Sequence, residues 1–205
     1  MRSFILYPLR VMINPVRGFN EIKYENKGSM KHVAALFLLM LISYTFRNQY
    51  IGFALAQPHP LSFDIIFDFT MVIVGVLLFC AGNWSITCLM DGKGKFKEIV
   101  MCMAYSFTPM IIMFIPATLI SNFIIAEEAG FYYIAIGVSV FWFILMLFTA
   151  LIVIHEFSFG KMLFTAFLTI IAILLIVFVI GLIMSMLGNM IEYFQSIYRE
   201  VIYRL

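Results

Sequence analysis

The chain has 205 residues, of which 64% are hydrophobic and only 12% charged, with a formal net charge of +2. Soluble domains run at roughly 45–50% apolar and about 25% charged, so this composition cannot furnish a water-facing exterior and a soluble domain is excluded. The near-neutral charge gives no basis for binding nucleic acid, and no nucleic-acid partner is expected.

What remains is an all-α polytopic membrane bundle, with five transmembrane helices and amphipathic ends. The expected organisation is a cytoplasmic amphipathic segment over 1–31, a five-span membrane domain over 32–187 and an amphipathic helix over 188–205. At the N-terminus, Arg2, Arg10 and Arg17 recur at spacings of eight and seven and so share one side of a helix, while Ile5, Leu9, Met12, Ile13 and Val16 favour the other. That is the pattern of a helix lying on an anionic leaflet, and an anionic phospholipid surface is the expected partner; a loose tail is the alternative. Asn14 and Pro15 read as an N-cap and first-turn pair that begins a second stretch. Pro8, Arg10 and Pro15 interrupt the apolar run and no small-residue cleavage site follows, so no cleavable signal is expected and the first span inserts the chain.

The spans are expected near Val33 to Leu55, Phe69 to Leu89, Ile99 to Ala126, Tyr132 to Ile154 and Met162 to Leu187, each long enough for a hydrocarbon core that takes about 20 residues. Pro109 and Pro116 are expected to kink the third. The connections alternate in charge. Arg2, Arg10, Arg17, Lys23, Lys27 and Lys31 precede the first span, "QPHPLSFDIIFD" has no basic residue, "DGKGKFKE" carries Lys93, Lys95 and Lys97, "EEAGFY" has none, and "HEFSFGK" ends in Lys161. Short cytoplasmic loops are enriched in lysine and arginine, which predicts a multi-pass protein of the cell membrane with its N-terminus cytoplasmic and its C-terminus external. On this reading the lysine loop is a topological anchor, and Gly92 and Gly94 let it turn sharply. With Trp84, Asp91 and Phe96 nearby it is also a docking surface, or else only a solvated turn. The tail, with Ile191, Phe194, Ile197 or Tyr198, Val201 and Leu205 at helical spacing, either lies along the outer surface or extends the fifth span.

Ionisable residues within spans are the default functional candidates, because hydrocarbon penalises them. Arg47 lies in the outer half of the first span. Asp64 and Asp68, four residues apart and so on one helical face, enter at the outer edge of the second. An Arg47 ion pair with one of them would be a structural clamp; a substrate or proton site and outward snorkelling are the other readings. Asn83, Tyr105, Ser106, Thr108 and Asn122 are polar residues within spans, suited to interhelical hydrogen bonding.

No catalytic constellation is complete. His59 and Asp64 have the H-x4-D spacing of some acyltransferases but stand in a short loop with no domain for an acyl donor. His155 and Glu156 begin a zinc-protease H-E-x-x-H whose second histidine is replaced by Phe159, and "DGKGKF" lacks the rest of a phosphate loop. Cys80, Cys88 and Cys102 form no metal-ligand pattern and read as small hydrophobes. No enzyme activity, metal or cofactor is expected. Gly181, Ser185 and Gly188 give the fifth span a stripe of small residues.

Three segments in order, "NPVRGFNEIKYENKGS", "NWSITCLMDGKGKFKEI" and "AYSFTPM", resemble the bacterial branch of the Yip family, the Ypt-interacting-protein domain membrane proteins, over nearly the whole chain. The matching positions are Pro15, Phe19 and Ile22, then Asn83, Trp84, Asp91, Gly92, Gly94 and Phe96, then Tyr105 and Pro109. The resemblance implies five spans with a cytoplasmic N-terminus. Eukaryotic members are implied in trafficking through Rab-type GTPases. This chain departs from them in lacking their long polar N-terminal region and D-L-Y-G-P signature, so a GTPase partner is not expected. Bacterial members look like accessory membrane proteins, some near ABC-type transporters. The leading expectation is therefore a non-enzymatic accessory or scaffold subunit bound to another membrane protein, with a small transporter or channel using a polar path near Arg47, Asp64 and Asp68 as the alternative. Five spans do not divide into two equal repeats, which weighs against the transporter.

Overall fold

A computed structural model describes residues 2–25, 27–53, 55 and 65–204. They form eight α-helices: α1 (Arg2–Ile13), α2 (Pro15–Tyr24), α3 (Met30–Tyr50), α4 (Ile65–Leu89), α5 (Phe96–Ser106), α6 (Thr108–Ser121), α7 (Ala129–His155) and α8 (Phe159–Arg204), with a 3₁₀ turn over Ala126–Glu128. No strand occurs among the described residues. Taking α5 and α6 as one crossing, five helical segments are long and apolar enough to span a bilayer, so the all-α membrane bundle is observed.

The α5–α6 crossing sits at the centre of the bundle and α8 at its edge. Pro109 falls in the first turn of α6, where its missing N–H costs nothing, and the break lies two residues earlier, at Phe107. That residue plugs the break: its ring stacks on Phe143 at 5.0 Å and meets Phe37 edge-on at 6.0 Å. Pro116 stays inside α6 without ending it.

α1 and α2 are separated at Asn14 and pack beneath the bundle through Val11, Phe19 and Ile22, all buried, while Arg10 and Arg17 face out. Ile13 and Val16, expected on the apolar side that faces the leaflet, are not covered by protein. Asn14 makes no side-chain cap. The fifth span and the tail are one helix. α8 has 46 residues, roughly 69 Å at 1.5 Å per residue, so the tail extends the span.

Because successive spans are antiparallel, one end of the bundle gathers α1, α2 and the α4–α5 and α7–α8 connections. The other gathers the end of α3 and the α6–α7 connection. There Asn122 donates to the carbonyl of Tyr50 (3.0 Å), and Gly52 N–H donates to Ser121 Oγ (2.9 Å).

Candidate functional site: a polar clasp at the basic end

α4 and α7 end in the same way. Gly92 N–H donates to Thr87 O (2.8 Å) and Phe157 N–H to Ile152 O (3.2 Å), the six-to-one bond of a Schellman turn. The residue such a turn holds in the left-handed region is usually glycine. Here both are acidic: Asp91 at φ 57° and Glu156 at φ 55°.

The two turns face each other across His155. Gly94 N–H donates to His155 Nδ1 (3.3 Å), and the imidazole, almost fully buried, stacks on Phe157. A Cβ on Gly92 would lie 2.7 Å from His155 Nδ1 and 2.9 Å from Thr87 O, and one on Gly94 would lie 2.6 Å from His155 Cε1 and collide with Ile154. This corrects the expectation that the glycines supply the turn. Neither has a positive φ; Asp91 makes the reversal, and the glycines allow the loop to close on His155.

Glu156 gathers three side-chain donors from two other segments, α2 and the α4–α5 loop. Lys23 Nζ of α2 donates to Glu156 Oε1 (2.7 Å) and to the carbonyls of Ile154 (2.8 Å) and Val153 (3.2 Å), capping α7. Tyr24 Oη donates to the same carboxylate (2.7 Å), and Lys93 Nζ to Oε2 (2.6 Å). These donors hold the Glu156 carboxyl down at about 2, Lys23 contributing most, and Glu156 in turn raises Lys93. Beside the clasp, the buried carboxylate of Glu21 meets Arg10 (3.3 Å), Arg17 (3.5 Å) and Lys27 (3.4 Å). Their outer faces line an open groove of about 640 Å³ that also includes Asn14 and Asn20.

The residues expected at the lysine loop divide. Trp84 and Phe96 pack edge to face at 5.9 Å and remain partly exposed, as does Asp91. Gly92 and Gly94 are spent on His155, and Asn83 is fully buried, donating to Thr169 Oγ1 (3.4 Å). Lys95 N–H donates to Glu98 Oε2 (3.0 Å), which starts α5. Tyr105 is buried edge-on to Tyr7 at 5.6 Å.

The Arg47 clamp is corrected for Asp68. Arg47 Nε donates to Tyr132 Oη (3.2 Å) with its guanidinium carbon 5.1 Å from the Phe114 ring centroid. Asp68 Oδ1 instead accepts from Asn48 Nδ2 (2.8 Å), and no Arg47–Asp68 ion pair forms. With Arg47 held by Tyr132 and Phe114 and Asp68 held by Asn48, the two charges are directed to different partners. Asp64, like His59, lies outside the described residues.

Sequence reasoning missed Lys23 and Glu156. The available signal was that Glu156 is the one acid between the fourth and fifth spans, on the basic side. Among the described residues no cluster of histidine, cysteine or acidic side chains could hold a metal ion. The clasp is built to join segments: its charges are paired with each other and with carbonyls.

A family model described as Yip1 domain matches residues 9–195. No curated protein and no solved structure matches the chain.

Proposed function

The chain belongs to the Yip1 domain family, and from that premise we propose that this multi-pass membrane protein acts by binding, as a non-enzymatic accessory or scaffold for another membrane protein such as an ABC-type transporter complex. One observation carries the reading: the clasp consumes Lys23, Lys93 and Glu156 internally and leaves Trp84, Asp91, Lys95, Phe96 and Lys97 displayed together around the same loop. A rigid turn presenting paired aromatics within mixed charge is what a protein partner recognises. The alternation of basic segments supports an N-terminus in the cytoplasm, a C-terminus outside and residence in the cell membrane. The exposed sides of Arg10, Arg17 and Lys27 suit anionic phospholipid on that face.

The alternative, a small transporter or channel, would need polar groups free to meet a solute. Arg47 and Asp68 are instead engaged with Tyr132 and Asn48, which favours the scaffold.

Affinity purification at high salt tests the proposal, because lipid attraction through lysines is screened there. A membrane-protein partner should persist in the wild type and be lost in Phe96→Ala and in Asp91→Gly, whose glycine suits the left-handed turn and preserves the fold. Indifference to both changes would reduce the loop to a solvated turn. Solute flux in proteoliposomes that Arg47→Ala abolishes would replace the scaffold with the transporter.

A further inference from the structure

A cleft of about 190 Å³ lies between α4, α7 and α8. Its walls are Phe79, Leu147, Phe148 and Ile173, with Asn83 and Thr169 as the polar residues. Ile144 and Ile170 also line it and are themselves 54% and 59% exposed, so the cleft opens sideways toward lipid between α7 and α8.

Hydrogen bonding fixes which end of the Asn83 amide is left over. The Thr169 hydroxyl donates to Thr165 O (2.8 Å), so its oxygen is available to accept, and Asn83 Nδ2 donates to it. Asn83 Oδ1 is therefore the remaining group, an acceptor on a fully buried side chain, with no partner among the described residues. A buried acceptor without a donor is unfavourable. It calls for a ligand with an O–H donor on an otherwise apolar body.

Depth narrows the class. Asn83 is six residues before the end of α4 at Leu89, about 9 Å along the helix, which is close to the level where headgroups give way to chains. At that level a phospholipid offers ester oxygens, which only accept. A lipid whose glycerol retains a free hydroxyl offers a donor.

We propose that the α4–α7–α8 cleft binds a neutral lipid of the diacylglycerol class, its free hydroxyl donating to Asn83 Oδ1 and one acyl chain leaving between Ile144 and Ile170. The site needs no metal and no contact with the clasp, so it stands apart from the scaffold reading.

The test uses the full chain in phosphatidylcholine nanodiscs and a diacylglycerol with a diazirine in one acyl chain. Light should place the label on α7 and α8 near Ile144 and Ile170. Unlabelled diacylglycerol should compete at least tenfold better than its O-methyl ether, which keeps the shape and loses the donor. Ile170→Trp, at an exposed position, should block the mouth and cut labelling severalfold without unfolding the bundle, and Asn83→Leu should erase the preference for the free hydroxyl. Equal competition by the ether would mean an acyl-chain groove only and would overturn the proposal. So would labelling unchanged by Ile170→Trp or spread evenly over the bundle surface.

Discussion

Lys23 Nζ lies 2.7 Å from Glu156 Oε1, joining residues 133 positions apart in the chain. The same ammonium bonds two carbonyls at the end of α7, so it fixes the interfacial helix α2 to the bundle and caps a span at once. Lys93 approaches the other oxygen of the carboxylate from solvent, with its side chain 69% exposed against 10% for Lys23. Lys23→Met should therefore lower stability in detergent by about 1–3 kcal/mol, the usual cost of stripping a buried charged donor from its acceptors. Lys93→Met should cost distinctly less. Thermal unfolding of the two purified variants checks the order, and equal shifts would contradict it.

Close approach makes a second contrast. Gly94→Ala should destabilise the loop, because its Cβ would strike Ile154 and His155, whereas nothing lies within 4 Å of a Cβ at Gly137 on α7. Gly137→Ala should be neutral or stabilising by up to about 1 kcal/mol, from helix propensity alone. Melting temperature together with proteolysis at the α4–α5 loop separates the two; a Gly94→Ala variant as stable and protease-resistant as wild type would show that the loop does not close on His155.

The ion pairs of Glu156 should be insensitive to pH over a wide window. The Glu156 carboxyl is held below its ordinary 4.5, at about 2, by Lys23, Lys93 and Tyr24. A depressed carboxyl contributes stability that is complete above its unfolded value and is lost as pH falls from 4.5 toward 2. Lys93 is raised above its ordinary 10.5 by Glu156, so its contribution is complete below 10.5 and is lost as pH rises beyond it. Hydrogen exchange of the α4–α5 loop, corrected for intrinsic rate, should stay flat from about pH 7 to 9 and be increased below about pH 4. Loss of protection between about pH 7 and 9 would place control on another group.

Arg47 should couple to Tyr132 and not to Asp68. In a double-mutant cycle, Arg47→Leu and Tyr132→Phe should show an interaction of roughly 0.5–1.5 kcal/mol, typical of one hydrogen bond. Exchanging the charges by Arg47→Asp with Asp68→Arg should not recover stability, because Asp68 is bound to Asn48. Recovery on exchange would restore the ion-pair clamp.

Topology is accessible to thiol labelling. In a variant lacking Cys80, Cys88 and Cys102, a cysteine replacing Lys95 should resist an impermeant reagent in intact cells, and one replacing Glu128, at the opposite end of the bundle, should react. Reversed labelling would invert the proposed orientation.

Much of this architecture is written in the sequence, because a bilayer acts on single segments. Twenty apolar residues are either long enough to cross or they are not, so α3, α4, α7 and the start of α8 fall within a few residues of the expected spans. The family is equally legible, since its motifs are local in the chain. The partners of the polar residues depended on tertiary structure, because they are set by which helix ends meet. His155 and Glu156 looked like a broken protease motif, yet their contacts come from Gly94, Lys93 and Lys23, dozens of positions away or more. Arg47 carried no sign that an aromatic face rather than a carboxylate would receive it, because Phe114 and Tyr132 come from other spans. Asn83 likewise matched a loop motif by its neighbours in sequence. It is the packing of α8 against α4 that buries it beside an apolar cleft, commits its amide nitrogen to Thr169 and leaves its oxygen without a donor among the described residues.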